Sequence, residues 1–184
     1  MPATTSPGSG PPAPVNRRRE SFVTTTRHAE QRFVGYTPMQ MYDLVADIAR
    51  YPEFLPWCHA ARIGKREGEI AIAELAIGLG PFHERFVSRV AFAPDAAGGP
   101  RIETTGVEGP FRLLTSRWTF MPQDGGTLID FELAFDFRSR LLRHTVSMLF
   151  AEAVRRMVSA FEARAERLYG KTTPRPVSLA SSAR

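Results

Sequence analysis

The chain has 184 residues, 43% of them hydrophobic and 10% aromatic, and a formal charge of +5. That supplies one sizeable core, so the expectation is one domain with tails. The positive excess lies in the ends (Arg17, Arg18 and Arg19; Lys171, Arg175 and Arg184), while residues 22–170 are neutral, which argues against a nucleic-acid-binding body and against DNA as a partner.

The opening, MPATTSPGSGPPAPVNRRRES, is rich in Pro, Gly, Ser and Thr and has no apolar core of a secretory leader. Residues 1–22 are therefore expected to be disordered, 23–170 to form the domain, and 171–184 to be a flexible tail. No run approaches the ~20 apolar residues of a membrane span. The single cysteine, Cys58, excludes an intrachain disulfide and fits a reducing compartment. The expected location is the bacterial cytoplasm, free or against the inner membrane, with the basic tails available to touch anionic lipid or RNA.

Thr24–Val34 has strand character and stops at Gly35. Thr37 then caps a helix with Pro38 at its first position. In MQMYDLVADI, Met41, Leu44, Val45 and Ile48 share one helical face. The next stretch, YPEFLPWCHA, holds Pro52 and Pro56, which prevent a long helix. It presents Tyr51, Phe54, Leu55 and Trp57 on a short turn or loop. Such a cluster reads either as ordinary packing or as a cavity lid and membrane-contacting edge.

About six strands follow, separated by turns at 66–69, 94–100 and 123–126, with a further break at Glu108-Gly109-Pro110. In Pro81–Ala93, Phe82, Glu84, Phe86, Ser88, Val90 and Phe92 face one way, and His83, Arg85 and Arg89 the other. Leu114, Ser116, Trp118 and Phe120 share a face of the strand Leu113–Met121. The last strand alternates most clearly, with Ile129, Phe131, Leu133, Phe135 and Phe137 on one side. A helix of about thirty residues closes the pattern, from a Ser139 cap to Gly170, with Leu142, Val146, Leu149, Phe150, Ala153, Met157, Phe161 and Leu168 on its apolar stripe. At ~1.5 Å per residue it runs ~45 Å and needs a broad cover.

Strands joined by turns, with helix on one face, give an α+β fold. A curved antiparallel sheet wrapped around the long C-terminal helix is a helix-grip. Where sheet and helix part, a tunnel walled by Phe, Leu, Trp and Met would suit an elongated apolar ligand.

The pieces MYDLVADIARYPEFLPWC, VEGPFRLLTSRWTF, IDFELAFDF and LFAEAVRRMVSAFEARAERLY resemble, in that order, the coenzyme Q-binding START-domain proteins. Bacterial members are also labelled RatA-type toxins, and the wider group includes polyketide cyclases and dehydrases. The resemblance runs from about Arg27 to Tyr169. It implies a START-like helix-grip that binds ubiquinone, a polyprenyl quinone, in support of respiration and quinone biosynthesis, with no cofactor beyond that ligand. The RatA label implies binding to the large ribosomal subunit; the cyclase label implies an enzyme.

The candidate cavity and mouth residues are Tyr51, Phe54, Leu55, Trp57, Phe86, Trp118, Phe120, Phe131, Leu133, Phe135, Leu149, Phe150, Met157 and Phe161. On pattern alone the same stripes are also ordinary core. Glu84 is the odd polar residue on an apolar face: a rim position, a partner for a neighbouring Arg, a ligand contact, or an acid whose pKa burial would raise. His28, His59, His83 and His144 form no metal spacing with Cys58, and no phosphate loop or G-x-S-x-G turn is present. No catalytic or metal-ligating residue is assigned.

Overall fold

The computed structural model describes residues 25–79 and 82–172, with side chains at all of these except 79, 82 and 143–151. Strand β1 (Thr26–Val34) leads into helix α1 (Pro38–Ala46) and a 3-10 helix (Ile48–Glu53). Six strands follow as a meander: β2 (Cys58–Glu67), β3 (Ile70–Leu79), β4 (Phe82–Ala93), β5 (Arg101–Glu108), β6 (Phe111–Gln123) and β7 (Gly126–Phe137). Helix α2 (Arg140–Tyr169) closes the domain. The order of elements matches the sequence reading; the tails expected at 1–22 and beyond 172 lie outside the described residues.

All seven strands form one antiparallel sheet in the order β1-β7-β6-β5-β4-β3-β2. The first strand skips its chain neighbour and pairs with the last, Thr26 opposite Phe135 and Val34 opposite Thr127. Register shifts interrupt β2, the β4–β5 pair at Val87/Ser88 and the β6–β7 pair at Phe111/Leu113. Each bulge bends its strand. The sheet curves, and α2 lies against its inner face: the helix-grip expected from the sequence. The outer face carries charge ladders, among them Glu74 between Arg62 (2.5 Å) and Arg85 (2.9 Å), and Arg117 between Glu103 (3.1 Å) and Glu132 (3.4 Å).

Local signals explain the helix ends. Thr37 and Gln40 form a reciprocal capping box, with Thr37 N–H donating to Gln40 Oε1 at 2.9 Å and Gln40 N–H to Thr37 Oγ1 at 3.2 Å. Ser139 Oγ accepts from the Leu142 N–H at 3.4 Å, and Gly170 stops α2 with φ +84. The sequence reading carried the first helix to Ile48; instead α1 ends at Ala46 and the chain tightens into the 3-10 helix. Pro52 has no N–H to give Ile48 and its ring would meet that carbonyl in an α-helix. Two hydroxyls then tie α2 to the start of the domain: Tyr36 Oη donates to Gly170 O and Tyr169 Oη to Gln40 O, each at 3.0 Å.

Two apolar clusters result. The larger joins α1 (Met41, Leu44, Val45) to Phe92, Ile102 and Phe120 of the sheet and to Phe161 and Ala165 of α2. The smaller gathers Phe135, Phe137 and Leu142, with Phe111, Leu114 and Leu133 against them, near the start of α2. Among the described residues of the expected helix stripe, Ala153 and Leu168 fall outside both: Ala153 lines the cavity, and Leu168 is 50% exposed while Ala165 is fully buried. A 3.6-residue repeat drifts along a straight helix, so a stripe read over thirty residues swings off the contact line at its end.

Candidate functional site

Between the two clusters the side chains do not close up. A cavity of about 270 Å³ lies under α2, against β3 to β7 and the 3-10 helix. Its wall is almost wholly apolar: Leu55, Ile77, Phe86, Phe111, Leu114, Trp118, Phe131, Leu133, Phe135, Met157 and Phe161 are among the lining residues. The inward alternation of β4, β6 and β7 puts these residues there.

The polar groups on this wall are few. Glu84 is the single charged residue among the described lining residues. Ser88, Thr104 and Ser116 line the sheet side, with Thr104 opposite Ser116 in the β5–β6 register. The Tyr51 hydroxyl donates to Val45 O at 2.6 Å, and burial pushes its pKa well above the ordinary phenol value. Two buried polar atoms on the wall have no hydrogen-bond partner, Trp57 Nε1 and Ser88 Oγ.

Of the predicted residues, Tyr51, Leu55, Trp57, Phe86, Trp118, Phe131, Leu133, Phe135, Met157, Phe161 and Glu84 line the cavity. The side chains of Leu149 and Phe150 lie outside the described residues, although both positions are in α2. Two candidates sit elsewhere. Phe120, with no exposed surface, packs edge-on against Tyr42 in the larger cluster, behind Trp118. Its strand twists past the end of the cavity, so the shared face of Leu114, Ser116 and Trp118 ends in solid core. Phe54 turns from the cavity to pack on Phe161 at 5.2 Å, with the Arg164 guanidinium 5.5 Å from its ring.

Of the two readings of 51–57, packing is the one formed, and the segment is not an exposed lid. Leu55 is 2% exposed, and Tyr51, Phe54 and Trp57 are half-buried and packed on the larger cluster. The prolines shorten the helix there, and Tyr51 and Phe54 stack edge-on at 5.8 Å so that the segment points inward. Glu84 has no second acid or histidine across from it among the described lining residues, and the other titratable side chain there, the Tyr51 phenol, is engaged with Val45 O. Arg62 and Arg85 pair with Glu74 on the outer face instead. Cys58 is buried and His59 exposed, on opposite faces of β2. Burial lifts the Cys58 thiol to about 11.

Sequence reading missed Phe111, Phe137 and Ser88 as wall residues. Phe137 lies on the alternating stripe of β7, and Phe111 lies just past the break at 108–110, where the sequence starts the strand only at Leu113. Ser88 was on the correct face, beside Phe86, without a pattern to set it apart.

A model of the family described as "Polyketide cyclase / dehydrase and lipid transport" matches residues 34–162. The chain belongs to this family. Among its relatives, the ribosome association toxin RatA of Rickettsia prowazekii is 38% identical over 135 residues, covering 73% of this chain and 92% of that one. The mitochondrial coenzyme Q-binding protein COQ10 homolog B of Xenopus laevis is 34% identical over 162 residues, or 85% of this chain; the match spans 64% of the frog protein. The solution structure of the 18 kDa protein CC1736 from Caulobacter crescentus is 33% identical, with a TM-score of 0.65 over 79% of this chain and 99% of that one. Polyketide cyclase/lipid transport proteins thus include binding proteins and enzymes on one START-type fold, and the family alone does not choose between them.

Proposed function

We propose that the protein is a non-catalytic carrier that holds a polyprenyl quinone such as ubiquinone in the cavity under α2. The observation that carries this reading is the wall itself: an aromatic and aliphatic surface with two unpartnered donors and, among its described residues, one carboxylate with no second acid or histidine. Burial of isoprenoid surface at ~25 cal/mol per Å² supplies the affinity, and the donors can meet carbonyl oxygens. The name of the coenzyme Q-binding relative supports the same ligand class. At about 270 Å³ the cavity is near the lower edge of the ~300–1,000 Å³ usual for ligand sites, so it takes a head group and the first part of a tail. The rest of a long tail leaves through the mouth, which makes contact with a membrane surface part of the proposal, in support of respiratory electron transport and quinone biosynthesis.

The test is extraction. Protein purified without detergent is extracted with organic solvent and its ultraviolet spectrum recorded before and after borohydride reduction. Co-purified quinone at a substantial fraction of the protein supports the carrier; its absence, together with failure to bind added short-chain ubiquinone, refutes it.

A second reading, ribosome association, is favoured by relatives so named that align over nearly their whole length. It predicts salt-sensitive co-sedimentation with large ribosomal subunits. Sedimentation only of free protein rejects it.

A further inference from the structure

We infer that the head of the ligand sits against Ser88 on the sheet side of the cavity, that Ser88 Oγ donates to it, and that the head is neutral. This rests on the carrier reading and adds where and how the head is recognised.

The register places Ser88 between Ala73 of β3 and Gly106 of β5. Its two cross-strand neighbours are small, and Leu114 fills the space in front of one of them: a methyl group added at Gly106 would come within 2.9 Å of Leu114 Cβ. The register shift opposite Val87 and Ser88 puts an extra residue, Val107, in β5 and bends that strand at this point. Ser88 is 1% exposed, and its hydroxyl has no partner although it lines the cavity. A buried hydroxyl without a partner destabilises the empty protein, a cost removed when a bound oxygen accepts from it. Thr104 and Ser116, paired with each other one step along the sheet beside Val90, are the further hydroxyls on the same wall.

Charge sets the class of head. No Lys, Arg or His is among the described lining residues, and the one charged group there is the Glu84 carboxylate. A fatty acid or lipid phosphate would enter without a counter-ion in a low-dielectric room, which is strongly unfavourable. A quinone, with acceptor oxygens and no charge, meets neither penalty. Trp57 Nε1 is the other free donor, but it lies toward the β2 end, on a half-buried residue whose carbonyl accepts from Gly78 N–H.

The experiment titrates full-length protein with a short-chain ubiquinone, with squalene as a headless isoprenoid, and with palmitate, reading quenching or displacement at Trp57 and Trp118. Wild type, Ser88→Ala and Trp57→Phe are compared. Ser88→Ala is expected to weaken quinone binding about three- to tenfold, the worth of one hydrogen bond, and to leave squalene unchanged. Its thermal midpoint without ligand is expected to equal or exceed wild type, which shows that folding is intact and that the hydroxyl is kept for binding. Palmitate is expected to bind far more weakly than quinone. Equal loss for quinone and squalene, no loss for quinone, a selective loss in Trp57→Phe alone, or palmitate binding as tight as quinone would each overturn the inference while the carrier reading stands. If neither quinone nor squalene binds wild type, both fall.

Discussion

Replacing Phe161 with alanine tests how the helix is held over the cavity. The ring is 6% exposed and meets Phe54 at 5.2 Å, and Tyr51 and Trp118 at 5.6 Å each. It joins α2, the 3-10 helix and β6 at one point. A buried Phe→Ala change costs ~3–5 kcal/mol, and its aromatic contacts, worth ~0.5–1.5 kcal/mol each, place this site in the upper part of that range. Taking about 4 kcal/mol, and ~2–4 °C per kcal/mol at this size, the thermal midpoint should fall by ~8–16 °C. The control is Leu168→Ala, the half-exposed residue that sequence periodicity puts on the same stripe; it should move stability by less than ~0.5 kcal/mol. Urea and thermal melts followed by circular dichroism measure both. Equal effects at the two positions, or a Phe161→Ala shift below ~3 °C, would refute the packing argument.

Ala153→Phe should fill the cavity from the helix side, abolishing quinone extraction while leaving a cooperative melt; retained quinone would mean that the ligand binds elsewhere. Leu55→Asp should unfold the protein at neutral pH, because it buries an unpaired carboxylate at a 2% exposed site; a folded variant with only altered liposome binding would restore the lid. The Cys58 thiol titrates near 9 when free and at about 11 in the fold. The unfolded chain thus loses its proton first, so the stability from Cys58 is full below pH 9 and declines toward pH 11, and burial of Tyr51 extends the decline above pH 10. Urea midpoints from pH 8 to 10.5 should fall in wild type and less steeply in Cys58→Ala; matching slopes would be the contrary result. Gly109→Ala should destabilise by ~1–3 kcal/mol in urea melts, since φ is +125 and an added methyl would lie 2.8 Å from Arg85 O; an unchanged midpoint would contradict the geometry.

What the sequence made legible follows from period. Alternation in β4 and β7, the Thr37 and Ser139 caps and the turn at Asp124-Gly125 are local, and each was readable from neighbours alone. Phe120 and Leu168 were misplaced, and 51–57 was left between packing and a lid, because their surroundings depend on twist and on partners far along the chain. The site divides the same way. The aromatic wall residues of β4, β6 and β7 come from alternation, but Phe120 and Trp118 share a face and only register decides which meets open space. Ser88 shows the limit best: a serine on an apolar face is unremarkable until Ala73 and Gly106 are known to flank it, and both pairings are tertiary facts.

The sheet's wiring also bears on how the molecule is made. β2 to β7 pair in sequence, each hairpin with the strand just before it. β1 cannot join until β7 exists, because Val34 opposes Thr127 and Thr26 opposes Phe135. On the ribosome, the earliest segment to emerge waits through most of synthesis for its neighbour, and loop-closure entropy delays that docking relative to every hairpin. A nascent chain halted before Gly126 would hold Thr26–Val34 as an unmated ribbon, open to chaperones and to proteases.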